Sequence, residues 1–352
     1  MPTLLDETIA SIRPLDAETM RQARVRQNRL TKPQGSLGRL EELSVQIAGI
    51  QGTVHPDVSS KAVFVMAADH GVVQEGVSAY PQEVTAQMVC NFARGGAAIN
   101  VLARQVGARV IVVDMGVASD LEPHAEVLVK KIGYGTANLA SGPAMTREEA
   151  VRSVEAGIEV FLAEHAKGVQ LAATGDMGIG NTTPSAAIAA AFTGLPAENV
   201  TGRGTGIDDE RWQAKVNAVQ RGLEVNKPDP GDGLDVLSKV GGFEIGGLAG
   251  IMLAGAAHRV PVVIDGFISG AAALIAVAIE PQVKEFLIAG HQSAEPGHRA
   301  IMHYLRLQPL LNLNMRLGEG TGAVLAMTLI EASVKILNEM ATFEQAGVSE
   351  RL

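Results

Sequence analysis

The sequence predicts an α/β fold in which a parallel sheet is flanked by helices in a Rossmann-like way, beside a small helical domain built from the two chain ends. Three observations predict it. Five short apolar runs each stop at a polar residue, helix-like stretches separate the runs, and neither end of the 352-residue chain supplies a strand. Runs that are apolar throughout, rather than alternating, suit a parallel sheet covered on both faces. At about 150 residues per domain the length accommodates two domains. We expect the α/β part at residues 56–319, and the helical part at 1–55 plus 320–352.

Taken in order, Leu37, Leu40, Leu43, Ile47 and Ile50 recur at helical spacing. Residues 62–67, before Asp69, form the first expected strand, and 109–113, before Asp114, the second. Thr146 followed by Glu149 is a capping box that opens a helix to about Ala166. The third strand is expected at 169–173, before Thr174. Thr183-Pro184 places proline at a first helical position, ahead of 185–192. Asp208 or Asp209 opens a helix through Trp212, Lys215 and Leu223. The runs 245–257 and 266–279 hold 13 and 14 residues without charge or histidine. A membrane span needs about 20 residues, so both are expected as buried helices. Strands at 260–264 (before Asp265) and 286–289 (before His291) follow, then a long helical segment over 320–340.

Composition narrows the function. The formal charge is −9 without a long basic run, and only 12 residues are aromatic. Phosphate-backbone binding draws on clustered positive charge, so a nucleic-acid partner is not expected, nor is a membrane. The single cysteine, Cys90, excludes an internal disulfide and every CxxC-type metal site. It sits in an apolar helix-like run that suits packing. Residues 1–13 carry Asp6 and Glu7 and show no secretory signal. A reducing cytoplasm is the expected compartment.

In an open parallel sheet, ligands bind outside the carboxyl ends of the strands. Those ends carry Asp69-His70, Asp114, Thr174-Gly175-Asp176, Asp265 and His291. The stretch 174–184 contains Gly175, Asp176, Gly178, Gly180, Asn181 and Thr182 and runs from a strand into a helix. It reads either as a phosphate cradle, with glycine N–H groups approaching an anion at a helix N-terminus, or as a tight β-α turn. It has no Walker lysine. A second glycine loop, Thr201-Gly202-Arg203-Gly204-Thr205-Gly206, precedes the helix bearing Lys215. Two loops and one lysine suit a phosphomonoester better than a triphosphate. A third, Arg316-Leu317-Gly318-Glu319-Gly320, sets a carboxylate between glycines. That position serves either a general base or an acid at the start of the next helix. His291, His298 and His303, with Glu295 among them, match no zinc spacing. Asp69-His70 is a candidate pair without a matching nucleophile. No metal or cofactor is expected.

With these segments in hand, the chain resembles the nicotinate-nucleotide–dimethylbenzimidazole phosphoribosyltransferase family. The resemblance rests on Lys32-Pro33-Gln34-Gly35-Ser36-Leu37-Gly38-Arg39-Leu40-Glu41, Ala68-Asp69-His70-Gly71-Val72, 178–184, and 235–243. Asp265-Gly266-Phe267, Ser293-Ala294-Glu295 and Met315-Arg316-Leu317-Gly318-Glu319-Gly320 complete an ordered set covering about residues 32–330. It implies transfer of a 5-phosphoribosyl group from nicotinate mononucleotide to a benzimidazole-type base, with inversion at the anomeric carbon, by a homodimer. It also implies Glu319 as general base, with the 175–182 loop, Gly204 and Lys215 on the phosphate. Tyr80, Met88 and Leu317 would lie at the base, and Asp265 and Ser293 also in the substrate site. Some members have Glu where this chain has Asp176, and Ser and Gln where it has Tyr80 and Met88. Two other classes remain beside this one: an acyl- or phosphotransferase on a similar sheet, and a non-catalytic nucleotide-binding protein.

Overall fold

The computed structural model describes residues 2–122, 124–204 and 206–349. Its centre is a six-stranded sheet of β1 (Lys61–Ala68), β2 (Ala108–Gly116), β3 (Val127–Val129), β4 (Leu171–Met177), β5 (Val262–Ile264) and β6 (Leu287–Ala289). The order is β3-β2-β1-β4-β5-β6, and every pairing is parallel. The order reverses between β1 and β4, where an open α/β sheet leaves its crevice.

Both faces of the sheet are covered, as continuous apolar strands require. Along β1, Ala62, Phe64, Met66 and Ala68 belong to one core cluster with helices Arg147–His165, Phe243–Ala257 and Phe267–Ile279. Val63, Val65 and Ala67 belong to the other, with Arg39–Gln51, Ala98–Val106 and Thr321–Glu339. Two glycines bring helices Arg147–His165 and Phe243–Ala257 into backbone contact, because a Cβ on Gly157 would collide with the Gly247 main chain. The apolar runs around 245–257 and 266–279 are buried helices of 15 and 13 residues.

The chain ends meet in a small apolar cluster of Ala23, Val45, Ala48 and Leu337, against which Met20 packs. Leu43 and Ile47, with Val324, Met327 and Ile330, also press on the sheet side. The Thr321–Glu339 helix is long and apolar enough to cross a bilayer, but 56 % of its most apolar stretch is buried inside the fold.

Several expectations need correction. The sheet has a sixth strand, β3, an edge strand of three apolar residues, Val127-Leu128-Val129, a run too short to stand out in the sequence and half-buried or exposed in the fold. Strands β2 and β4 run past their expected ends, so Asp114, Thr174, Gly175 and Asp176 lie inside them. Burial there is tolerated because Asp114 accepts from the Gly116 and Val117 N–H groups, Thr174 Oγ1 donates to the Val263 carbonyl, and one oxygen of Asp176 accepts from Asn181. The helix expected from Pro184 begins earlier, at Thr182, so proline is its third residue. Proline fits there because the first four helical N–H groups lack intrahelical partners anyway. The capping box at Thr146 is present in both directions. Asp208, not Asp209, caps the helix Asp209–Asn226 by accepting from the Arg211 N–H. Thr205, in the second glycine loop, lies outside the described residues, as do 350–352 at the end of the expected helical domain.

Candidate active site

Glu319 stands where the loop 311–320 meets the last long helix. Its φ is 62°, between Gly318 at 87° and Gly320 at 92°. A left-handed conformation costs a non-glycine residue about 1–3 kcal/mol and persists only where surroundings impose it. Here the surroundings are the end of β4. The Glu319 N–H donates to the Asp176 carbonyl at 3.2 Å, and a Cβ on Gly175 would run into the Glu319 carbonyl oxygen. The side chain is 6 % exposed. Its Oε2 accepts from the Ile99 N–H at 3.1 Å, in the first turn of helix Ala98–Val106. Burial lifts the carboxyl above its ordinary value, the Ile99 bond opposes that, and the negative charge of Asp265 adds to it.

Beneath Glu319 lies a floor of buried acids from the strand ends. Asp176 accepts from Asn181 Nδ2 at 3.0 Å, while its Oδ1 has no partner. Burial pushes its pKa well up, and the charges of Asp265 and Glu244 push it further. Asp265 accepts from the Ala323 N–H at 2.9 Å, tying the strand end to the helix Thr321–Glu339. Its Oδ1 also lies 3.6 Å from His291 Nε2, and burial again raises its pKa. Asp69 accepts from the Ala118 N–H at 2.8 Å and is likewise raised by burial. The Asp69-His70 pairing does not form. His70 Nε2 instead meets Glu244 Oε1 at 2.8 Å, with both side chains at most 1 % exposed. Glu244 escaped sequence reasoning; its one signal was a charge directly preceding an apolar helix.

A few residues away the second and first glycine loops converge on a lysine. Lys215 is 1 % exposed and donates to Thr182 Oγ1 at 2.7 Å and to the Gly202 carbonyl at 3.3 Å. Burial lowers its pKa to about 8. Gly204, at φ 49°, sits so close that a Cβ there would stand 2.9 Å from Thr182 Oγ1 and 3.3 Å from Lys215 Nζ. Thr182 begins the helix Thr182–Thr193, whose N-terminus adds positive potential. Arg316 Nε donates to the Gly204 carbonyl at 3.3 Å, linking this cradle to the loop of Glu319. Gly178 has a packing reason to be glycine. A Cβ there would strike the Ala68 carbonyl, so the turn after β4 packs on β1. Gly180, at φ 91°, supplies the left-handed step before the helix.

The remaining site residues fall in two groups. Ser293 is buried; its N–H donates to His298 Nδ1 at 3.1 Å, and its Oγ accepts from the Glu295 N–H at 3.3 Å. Burial lowers the His298 pKa to about 3, so that ring is neutral. His291 stacks near it, with ring centroids 6.2 Å apart, while His303 is exposed. Tyr80 and Leu317 are 53 % and 59 % exposed. Met88 is half-buried against the second core cluster, as is Met177 at the end of β4. Cys90 is half-buried and free.

The family model described as a phosphoribosyltransferase matches residues 12–348. A nicotinate-nucleotide–dimethylbenzimidazole phosphoribosyltransferase of Desulforudis audaxviator is 62 % identical over 347 residues, covering 99 % of this chain and 98 % of its own length. One of the same name from a Roseiflexus species is 61 % identical over 350 residues, with 99 % of each chain covered. The crystal structure of the Thermus thermophilus protein of that name superposes with a TM-score of 0.91 at 51 % identity, over 96 % of this chain and all of its own.

Proposed function

The chain belongs to this phosphoribosyltransferase family, and from that premise we propose that it transfers the 5-phosphoribosyl group of nicotinate mononucleotide to 5,6-dimethylbenzimidazole. The products are α-ribazole 5′-phosphate and nicotinate, with inversion at the anomeric carbon. The observation that carries this reading is the paired arrangement of a buried carboxylate, Glu319, and a buried lysine cradle at Lys215, joined through Arg316 and Gly204.

The chemistry asks little of a catalyst beyond these parts. One benzimidazole nitrogen attacks the anomeric carbon while the bond to nicotinate breaks. The breaking bond's electron pair returns to the pyridinium nitrogen, which is thereby neutralised and needs no proton. The N–H proton on the other benzimidazole nitrogen passes to Glu319. Positive charge on the ribosyl group at the transition state meets the acid floor of Asp176, Asp265 and Asp69. Whichever of these acids is ionised offers a fixed anion in a dry site, which is worth more than one in water. Gly204, Lys215, Thr182 and the helix start at Thr182 hold the 5′-phosphate. Tyr80, Met88 and Leu317 border the base, and Gly175, Gly178, Gly180, Asn181 and Ser293 shape the walls. The reading includes a cytoplasmic homodimer: the lone Cys90 suits a reducing compartment, and the resemblance supplies the dimer.

Incubation with nicotinate mononucleotide and a panel of flat bases tests it. The expected result is a product with the mass of base plus phosphoribosyl, in the α configuration. Retention of the β configuration, or turnover only with another phosphate donor, would overturn it.

A further inference from the structure

Glu295 is a buried acid with no role in the chemistry above. It is 5 % exposed and begins the helix Pro296–Leu305. Its Oε1 accepts from the Gly204 N–H at 2.9 Å, a donor that the phosphate reading requires. Its Oε2 is buried without a hydrogen-bond partner and presses on Gly202, where a Cβ would overlap it. Glu295 also lines a cleft of about 690 Å³ together with Thr201, Gly202, Trp212 and Arg316. This cleft opens beside the Gly202–Arg203 backbone, next to the cradle.

We propose that Glu295 is an internal anion that occupies the phosphate subsite at rest and yields the Gly204 N–H to the incoming 5′-phosphate, thereby setting the affinity of the subsite. The proposal rests on the phosphate reading of Lys215 and Gly204. One N–H proton cannot serve a carboxylate and a phosphate at full strength, and two anions side by side repel. A charge-assisted bond to a carboxylate is also stronger than one to a neutral amide. While the site is empty, the carboxylate keeps the Gly202–Gly204 backbone in place and opposes the loss of charge that burial imposes on Lys215. When phosphate arrives it takes over both tasks. The carboxylate must then leave Gly204, and the energy of that exchange is subtracted from phosphate binding. Weaker adventitious anions, which gain less than a dianion, are held off by the same competition.

The test is calorimetric titration of wild type, Glu295→Gln and Lys215→Ala with inorganic phosphate, nicotinate mononucleotide and the dephosphorylated riboside. Glu295→Gln should bind phosphate and mononucleotide about tenfold more tightly, within what a like charge a few ångströms from a phosphate produces. Riboside binding should not change. In turnover, KM for the mononucleotide should fall with kcat little altered, a split that a merely structural brace would not give. If Glu295→Gln binds phosphate no tighter than wild type while Lys215→Ala loses it, Glu295 is a brace and the inference fails with the phosphate reading intact. If Lys215→Ala binds phosphate as wild type does, the phosphate reading itself fails. Should Glu295→Gln not fold, a crystal structure of the wild type with inorganic phosphate decides. Phosphate on the Gly204 N–H with Glu295 turned away supports the exchange; phosphate bound with Glu295 still on Gly204 overturns it.

Discussion

The main-chain N–H of Glu319 donates to the carbonyl oxygen of Asp176 at 3.2 Å, which ties the end of β4 to the loop that carries the buried Glu319 carboxyl. Gly175 makes the approach possible, since any Cβ there would meet the Glu319 carbonyl. The strained φ of Glu319 is thus imposed by the sheet, and its carboxylate is aimed before substrate arrives.

Glu319→Gln should therefore keep the geometry and lose the proton acceptor. The amide oxygen can still accept from the Ile99 N–H, so mononucleotide binding should persist. Turnover should fall by about 10²-fold or more, the range of general-base catalysis. Because burial raises the carboxyl, and the ionised form is the base, activity should fall as pH drops through an apparent pKa above the ordinary glutamate value of 4.5. Near-normal turnover in the variant, or an acid limb at or below 4.5, would contradict the assignment.

Much of this was legible in the sequence because it follows from local rules. Five of the six strands read as apolar runs, and Glu319 is marked by its two glycines. The capping box at Thr146 and the cap at Asp208 depend on residues three apart and could be read directly. What could not be read depends on partners distant in the chain. The His70–Glu244 pair spans 174 positions, and the Glu295–Gly204 bond spans 91. Asp176 was expected in a loop because it is polar. It lies within β4, where Asn181 meets one carboxyl oxygen and the Glu319 N–H meets its main-chain carbonyl. Edge strand β3 is apolar but only three residues long, too short to separate from the surrounding loop.

Lys215→Ala should weaken nicotinate mononucleotide far more than its riboside, since in the proposed site its Nζ, on Thr182 Oγ1 and the Gly202 carbonyl, holds the phosphate. A pH signature accompanies it. The buried ammonium has a pKa of about 8, and only its charged form attracts phosphate. Mononucleotide affinity of the wild type should decline as pH rises past about 8, while riboside affinity stays flat. Equal losses for both ligands in the variant would assign Lys215 another task.

Asp176→Asn should stabilise the resting protein, increasingly so at higher pH. A carboxyl whose folded pKa exceeds its unfolded one contributes stability that is full below the unfolded value and lost as pH rises through the folded value. For Asp176 the unfolded value is near 3.8, and the folded value lies well above it. Asparagine stays neutral throughout and can still accept from Asn181. Melting temperatures of the two proteins should thus converge toward the acid end and separate in favour of Asn at pH 7–8, in the direction the linkage relation requires. A gap that narrows as pH rises would show that Asp176 is stabilised as an anion. The same substitution should slow turnover, because a neutral amide offers no charge to the ribosyl cation.

The last expectation concerns the choice of base. Met88 is half-buried among apolar neighbours, its sulfur 4.0 Å from Asn91 Nδ2, and Tyr80 and Leu317 are exposed. A methionine is flexible and polarisable and adapts to flat ligands of different outline, and a tyrosine offers a ring face with one polar tip. In the proposed site, a base slot bordered by these residues has few fixed polar groups to leave unpaired when the base changes. Discrimination by apolar contact is weak, about 1–3 kcal/mol per missing methylene-sized group, or roughly 10–200-fold. Benzimidazole, which lacks two methyl groups, should therefore remain a substrate with a moderate loss of kcat/KM. Adenine should do worse, because its additional nitrogens would be buried without partners. Met88→Gln supplies such a partner and should narrow the gap between adenine and dimethylbenzimidazole. The measurement is kcat/KM for the three bases in both proteins. A wild type that prefers adenine, or a Met88→Gln variant whose three ratios match the wild type, would mean that selection occurs through polar groups elsewhere.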